Sequence, residues 1–367
     1  MALAAMSGGV DSAVATVLAT RAGQPAVGVT MRLYTPGEGE LSERARQCCG
    51  PTAYEDARRA AALAGIPHYV VNFERAFQKA VLDYFCREYL AGRTPNPCVA
   101  CNNLVKFGAL LDFARALGAP RMITGHYVRI LHDESGPRLV RAVDRAKDQS
   151  YMLAGLRPDQ LAAVVTPLGA LTKEETRAFA RHIGLGVADK PDSMDLCFVD
   201  GDYRGFIERR FPDAARAGPV VTVDGRDAGG HDGVLGYTVG QRKGIAGASL
   251  GDGPWYVVRT DAPTNTLVIG RREDLARSTV VCSSANIIRP AAFEDGSARG
   301  LAVCRYRSKP VRATARVAGS RLVVNLAEPV SVVSPGQLLA IYDAADEEVI
   351  ASGIIESGEA TELRASS

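Results

Sequence analysis

An α/β domain with a parallel sheet, followed by two small β domains, is the architecture this sequence predicts. Three observations carry it. Strand-like and helix-like segments alternate up to about residue 200. From about residue 219, short Val-rich runs separated by Gly, Asp and Pro turns replace them. The length of 367 residues allows two or three domains.

The alternation begins at residues 3–6, a short apolar strand. Residues 12–22 form a helix with Ala13, Val14, Val17 and Leu18 on one face. "PAVGVTM" (25–31) is a strand, and the Ala-rich stretch 52–64 is a helix closed by Gly65 and Pro67. "HYVVNF" (68–73) is a strand, 74–90 a helix, "KFGALLDFARALG" (106–118) a helix, and "RMITGHY" (121–127) a strand running into a loop. This order predicts a parallel sheet covered by helices on both faces. In "TKEETRAFARHIG" (172–184), Thr172 and Glu175 have the spacing of a capping box. "YRGFIERRF" (203–211) is the last substantial helix. Beyond it, "GPVVTVDG", "PWYVVRTDAPTNTLVIG", "ATARVAGSRLVVNLAEPV", "QLLAIYD" and "VIASGIIE" are strand and hairpin signals. A break near 275–280 divides them, so the expected domains are 1–200, 201–277 and 278–367.

Composition narrows the function. The net charge of +2 gives no polyelectrolyte signal, so a nucleic-acid surface has to come from local clusters. No run of about 18 apolar residues predicts a membrane helix, and no charged and apolar leader opens the chain; a cytoplasmic protein is expected. Eight cysteines are too few for a disulfide scaffold, and closely spaced ones read as catalytic or metal-binding. The five histidines are scattered and form no zinc motif.

Two places concentrate the chemistry. Ser7-Gly8-Gly9-Val10-Asp11-Ser12 lies between a strand and a helix. Glycines there allow close backbone approach and positive φ, and amides at a helix start receive phosphate oxygens. A Walker loop would carry Lys where Asp11-Ser12 stands, and no dinucleotide fingerprint is present. The second place is "RTPNPCVACNN" (93–103), where Cys98 and Cys101 follow Asn96-Pro97. Thiols near a helix start are expected to ionise more readily, although a CxxC also reads as a zinc half-site or as two small buried residues. Cys197 sits in "SMDLCFVD" before a helix, and alone it reads as a buried cysteine.

Together these stretches resemble the tRNA-specific 2-thiouridylases (MnmA type) of the PP-loop ATP pyrophosphatases. The resemblance rests on SGGVDS, on Asn96 to Asn102 with Cys101, and on Cys197-Phe198-Val199. It extends through "TGHYVR" (124–129), "KDQSYML" (147–153), "GQRKG" (240–244), "PWYVV" (254–258), "CRYRSK" (304–309) and "PGQ" (335–337). It implies an adenine nucleotide alpha hydrolase-like first domain. The implied reaction is ATP-dependent adenylation of C2–O of the tRNA wobble uridine, followed by sulfur transfer. Cys197 would carry the persulfide, and Cys101 would be the nucleophile that ends in a disulfide with it.

By the same resemblance, Ala5, Met6, Ser7, Gly8, Gly9, Val10, Asp11, Ser12, Met31 and Gly125 would contact ATP. Asp11 would position Mg²⁺ or act as a helix cap. Asn96, Pro97 and Cys98 would meet the target base, and His126, Lys147, Asp148, Gln149, Arg305, Tyr306 and Gln337 the rest of the tRNA. Arg305, Arg307, Lys309, Arg312 and Arg316 read as a basic strand face around Tyr306. A sulfur-relay protein or cysteine desulfurase is the expected donor.

Many family members carry Asp where Cys98 stands. A second route therefore puts a 4Fe–4S cluster on Cys98, Cys101 and Cys197. The rival class is an amide-forming ATP pyrophosphatase with structural cysteines. Cys48 and Cys49 have no assigned role.

Overall fold

A computed structural model describes residues 1–34, 50–191, 196–199, 203–212, 216–245, 251 and 253–360. Two compact units emerge. One comprises Met1–Asp83, Pro97–Gly201 and Glu347–Val349; the other comprises Tyr84–Asn96, Asp202–Asp346 and Ile350–Ser367.

In the first unit, β1 (Ala2–Ala5) leads through a loop to α1 (Val10–Arg21), then β2 (Ala26–Arg32), α2 (Pro51–Leu63) and β3 (His68–Asn72). β4 (Arg121–Ile123), the hairpin β5 (Val128–Asp133) and β6 (Gly136–Arg141), and β7 (Val164–Val165) follow. The main sheet is parallel, in the order β3-β2-β1-β4-β7. β1 is central, and its residues Ala2, Leu3 and Ala4 are fully buried. Small side chains on β1 and on α1 (Ala13, Ala15, Ala19) let the helix settle close to the strand. Val14 and Val17 are also buried there, each contributing about 1.5–3 kcal/mol. α1 is buried round most of its circumference rather than along one stripe. β2 lies on one side of β1 and β4 on the other. The carboxyl end of β1 is therefore a topological switch point, where α/β sheets open a crevice for ligands.

The capping box holds: Thr172 Oγ1 accepts from Glu175 N–H, and the Glu175 carboxylate accepts from Thr172 N–H at the start of the helix Lys173–His182. Two features depart from the sequence expectation. Residues 128–141 form the hairpin β5–β6, whose strand β6 pairs with Glu348 and Val349. The apolar runs flanking "DESGP" are its signal, but they are short and half exposed. The helix expected at 106–118 instead begins at Pro97 and runs to 116, so Cys98 and Cys101 lie inside it.

The second unit holds two sheets. β8 (Gly218–Thr222), β9 (Asp227–His231), β10 (Tyr256–Asp261) and β11 (Thr266–Gly270) are ordered β10-β11-β8-β9 around Val220, Val257, Leu267 and Ile269. β12 (Arg277–Ile287), β13 (Ser297–Val303), β14 (Val311–Ala318), β15 (Arg321–Val330), β16 (Leu338–Tyr342) and β17 (Glu348–Ala360) run in the order β12-β15-β14-β13-β16-β17. Pairing of β12 with β17 closes them into a barrel, which removes free edges. Alternating inward residues such as Ala313 and Ala315, or Leu322, Val324 and Leu326, fill it.

Candidate active site

The loop between β1 and α1 is built by its own side chains. Ser7 N–H donates to Ser12 Oγ at 3.1 Å, and Ser12 Oγ donates to the Gly9 carbonyl at 3.1 Å. The Ser7 and Ser12 hydroxyls lie 3.2 Å apart. Gly8 has φ +74°, and a Cβ there would stand 2.3 Å from the Ala53 carbonyl oxygen of α2. Only glycine meets both conditions. Gly9, at φ −93°, is the helix N-cap. Asp11 therefore does not cap α1, and no side chain does.

The Asp11 carboxylate is engaged elsewhere. Lys173 Nζ donates to Asp11 Oδ1 at 2.7 Å and to Oδ2 at 2.8 Å, and Tyr127 OH donates to Oδ1 at 2.9 Å. Lys173 is only 9% exposed and opens the helix Lys173–His182, 162 residues downstream of Asp11. Gln149 steadies Tyr127, with Oε1 accepting from Tyr127 N–H and its own N–H donating to the Tyr127 carbonyl, both at 2.9 Å. The lysine that a Walker loop carries in sequence thus reaches this loop from another element. Lys173 bridges both oxygens of the Asp11 carboxylate, which stays a third exposed.

Gly125 seals the other side of the loop. A Cβ at Gly125 would lie 2.6 Å from the Asp11 carbonyl carbon and from Ser12 N. Gly125→Ala is expected to cost about 1–3 kcal/mol of stability by backbone overpacking. It should also weaken ATP binding at least about tenfold, or about 1.4 kcal/mol. Chemical denaturation and nucleotide titration read the two effects, and wild-type affinity in the variant would show that the loop yields. Met31 is half-buried near the carboxyl end of β2, in register with Val71 of β3.

His126, the residue after Gly125, packs on the helix that carries the cysteines. Its Nδ1 lies 2.7 Å from Thr124 Oγ1, and its ring meets Phe107 at 5.8 Å between centroids. Loss of hydration and then the Lys106 ammonium push its imidazole down to about 3, so it is neutral at physiological pH.

Phe107 belongs to the cysteine helix. Residues Cys101–Leu110 are wound as a π-helix between α-helical turns Pro97–Ala100 and Leu111–Ala116. Gln160 Nε2 donates to the Phe107 carbonyl at 2.7 Å, and Asn102 Nδ2 to the Met152 carbonyl at 3.1 Å. Cys98 reaches solvent, while Cys101 is buried. Burial pushes the Cys101 thiol up, Lys106 pulls it back, and Cys98 adds to the rise. The readily ionised thiol expected of a helix start is therefore not what this arrangement provides. Cys101 lies past the first turn and has lost its water.

Cys197 is half-buried in a turn at 196–199, closed by Val199 N–H donating to the Leu196 carbonyl. Phe198 anchors that turn edge-on to Phe77 at 5.9 Å. Cys98, Cys101 and Cys197 are not joined in disulfides here. Among the described residues, no three His, Cys, Asp or Glu side chains group as metal ligands. Cys48 and Cys49 lie outside the described residues.

The residues expected at RNA divide by exposure. Arg305 is exposed in the turn between β13 and β14, and Arg307 stacks over the Tyr306 ring at 5.2 Å. Arg312 and Arg316 share the exposed face of β14, so the basic segment is part turn and part strand. Lys147 is half-buried. The Asp148 carboxylate is spent internally, on Arg141 Nη1 at 2.8 Å, Ala142 N–H at 2.9 Å and Ser150 Oγ at 2.7 Å. The Gln337 amide donates to the Thr94 carbonyl at 2.7 Å. Pro97 opens the cysteine helix, whereas Asn96 ends a segment of the second unit.

Similarity runs from end to end of the chain. Residues 1–201 match the family model described as "tRNA methyl transferase HUP domain". Residues 204–271 match its "PRC-barrel domain", and 282–355 an "Aminomethyltransferase beta-barrel domain". The tRNA-specific 2-thiouridylase MnmA of Methylobacterium sp. (strain 4-46) is 45% identical over 98% of this chain and 95% of its own length. This chain belongs to the tRNA-specific 2-thiouridylase family. The 2-thiouridylase of Carboxydothermus hydrogenoformans is 43% identical over 96% of this chain and 97% of its own. A 4-thiouridine synthetase solved with RNA and bound ATP is 20% identical over 58% of this chain and 50% of its own, at TM-score 0.34. For a 2-thiouridylase, three side chains stand out beyond the motif: Lys173, Tyr127 and Lys106. Tyr127 lies inside "TGHY", but Lys173 reads only as a helix start and Lys106 as a surface helix position.

Proposed function

We propose that this protein is an ATP-dependent tRNA uridine 2-sulfurtransferase. One observation carries the reading: the segment Thr124-Gly125-His126 packs on the nucleotide loop at Gly125 and on the Cys101 helix at His126. On this reading, phosphate chemistry and sulfur chemistry share the segment that follows β4. An amide-forming pyrophosphatase has no use for that thiol helix.

The C2 carbonyl of uracil is a poor electrophile. Its oxygen attacks the α-phosphate of ATP and pyrophosphate leaves, while the loop amides and the Ser7 and Ser12 hydroxyls receive phosphate oxygens. A persulfide on Cys197, loaded by a donor protein, attacks C2 through its outer sulfur. AMP departs with the original oxygen. The Cys101 thiolate then attacks the Cys197 sulfur and the S–S bond breaks. Its electron pair stays on the sulfur now bonded to C2, leaving 2-thiouridine and a Cys101–Cys197 disulfide. An external thiol reductant restores both cysteines. The exposed Arg305, Arg312 and Arg316 suit RNA phosphates, and extrusion of the base brings C2 to the thiols. His126, held neutral, adds a hydrogen-bonding group without a competing charge.

Full-length protein, ATP, a persulfide donor and unmodified tRNA are expected to yield thiouridine, read by retardation on a mercury gel, with one pyrophosphate released per thiolation. Pyrophosphate release driven by an amine, with no thiouridine, would overturn the reading.

A further inference from the structure

The second unit has a cleft of its own. The helix Asp83–Leu90 brings Tyr84 and Glu88 to it, and the turn that follows brings Arg93. The barrel brings Ser284 of β12, Arg321 of β15 and Glu356 of β17. The cleft measures about 630 Å³, room for a phosphate with its sugar. The strap after the helix is fastened within the same unit. Thr260 Oγ1 donates to the Gly92 carbonyl at 2.5 Å, Thr94 N–H to the Pro335 carbonyl at 2.8 Å, and Gln337 Nε2 to the Thr94 carbonyl at 2.7 Å. Arg93 is thus held in place on the strap that ends at Asn96.

Two ion pairs line the cleft, and in both the cation is the more exposed partner. Arg93 Nε and Nη2 donate to the two Glu88 carboxylate oxygens at 2.7 and 2.5 Å; the Arg93 side chain is 42% exposed and that of Glu88 13%. Arg321 Nε lies 3.0 Å from Glu356 Oε2, with exposures of 61% and 36%. Each carboxylate fixes a guanidinium group, whose remaining N–H donors are left for an acceptor on the solvent side. Tyr84 adds a neutral donor. Burial, and then the Glu88 carboxylate, push its phenol up to about 12, and its hydroxyl has no hydrogen-bond partner among the described residues. Ser284 adds another. Its φ of +52° is left-handed, at the point where the pairing of β12 with β17 shifts register. Glycine would hold that turn without strain, so a serine there spends backbone energy to keep a hydroxyl in the cleft. Donors outnumber free acceptors, which suits an oxygen-rich anion.

We propose that this cleft seats a backbone phosphate of the substrate RNA between Arg93 and Arg321, apart from the basic segment around Tyr306. The inference rests on the sulfurtransferase reading and adds to it a second RNA contact. One guanidinium comes from the helix side and one from the barrel, an arrangement that suits the two free oxygens of a phosphodiester. Such a contact sets the position of an RNA and is blind to its sequence. Because Arg93 and Asn96 share one short fastened strap, the phosphate held here sets the register of the RNA at Asn96.

The test is the affinity of the full-length protein for an unmodified tRNA transcript across a salt series, with no ATP and no sulfur donor. Arg321→Gln is expected to weaken binding about fivefold and to lower the salt slope by about 1. Ser284→Gly relieves the backbone, so binding should weaken while chemical denaturation shows no loss of stability. Glu356→Gln removes a carboxylate and leaves the guanidinium group, so it should tighten binding, which loss of a merely structural ion pair would not do. Unchanged affinity and slope in Arg321→Gln, or weaker binding in Glu356→Gln, would overturn the proposal. So would inorganic phosphate or uridine monophosphate that raises the Tm of the wild type but not of Arg321→Gln while tRNA affinity stays equal, because the cleft would then serve a free phosphate compound. The binding assay is independent of thiolation. A wild type that binds tRNA with these variant effects but forms no thiouridine would end the functional reading alone, and one that thiolates while Arg321→Gln binds normally would end only this inference.

Discussion

Cys101→Ala and Cys197→Ala are each expected to form thiouridine at below about a thousandth of the wild-type rate, as loss of an essential nucleophile does. Both should still release pyrophosphate from ATP when tRNA is present. Adenylation uses the loop before α1, to which neither thiol belongs. Their defects differ in kind. Cys197→Ala should accept no sulfur from a donor, whereas Cys101→Ala should accept it and stall with the persulfide or its adduct in place. Trapping with a thiol-specific probe, followed by mass spectrometry of the Cys197 peptide, reads the difference. Cys98→Ala supplies the contrast. Its thiol is exposed and has no step in the persulfide route. Thiolation should therefore survive within about tenfold, or about 1.4 kcal/mol. Loss of thiolation in Cys98→Ala equal to that in Cys101→Ala would return the cluster route to first place.

Lys173→Ala is expected to act one step earlier. Lys173 is bidentate on Asp11 of the nucleotide loop, at 2.7 and 2.8 Å. Removing it leaves the Asp11 carboxylate facing the incoming phosphates with only Tyr127 to hold it. Repulsion replaces neutralisation, and tRNA-dependent pyrophosphate release should fall about 10²–10³-fold. Folding stability should fall less, by about 1–3 kcal/mol, because Asp11 remains a third exposed to water. Lys173→Arg keeps the charge but not the compact geometry, and should recover part of the rate. The double variant Asp11→Asn with Lys173→Ala removes the unpaired charge; it should regain stability over Lys173→Ala without regaining activity. Pyrophosphate release near wild type in Lys173→Ala would show that the pair serves only to fasten the loop.

The two sets separate the halves of the site. Cysteine variants should stop after adenylation and Lys173 variants before it, so one pyrophosphate assay and one mercury gel place each variant on the reaction path.

Much of this was legible in the residue order. The strand–loop–helix at the start, the Thr172–Glu175 cap and the change to Val-rich strands after 219 are local patterns, and local propensity decides them. So are the identity of the nucleotide loop and the pairing of Cys101 with Cys197 as candidates, because motif order and spacing survive without coordinates. The hairpin at 128–141 escaped because its two runs are short and partly exposed. Asp148 and Gln337 looked like surface polar groups; their partners, Arg141 and Thr94, lie on other segments.

What the sequence by itself determined is which chemical groups are present and which class of reaction they suit. What only the tertiary structure decided is where the charges stand. The loop lacks a lysine in sequence, yet Lys173 stands on it, carried there by the helix that packs on α1. Cys101 looked like a readily ionised thiol at a helix start, and burial made it a reluctant one. Lys106, five residues further along the helix, opposes part of that rise. The physical reason is common to all three. Hydrogen bonding along the chain depends on near neighbours, but solvation and Coulomb energy depend on distance through space, and that distance exists only once the chain has folded.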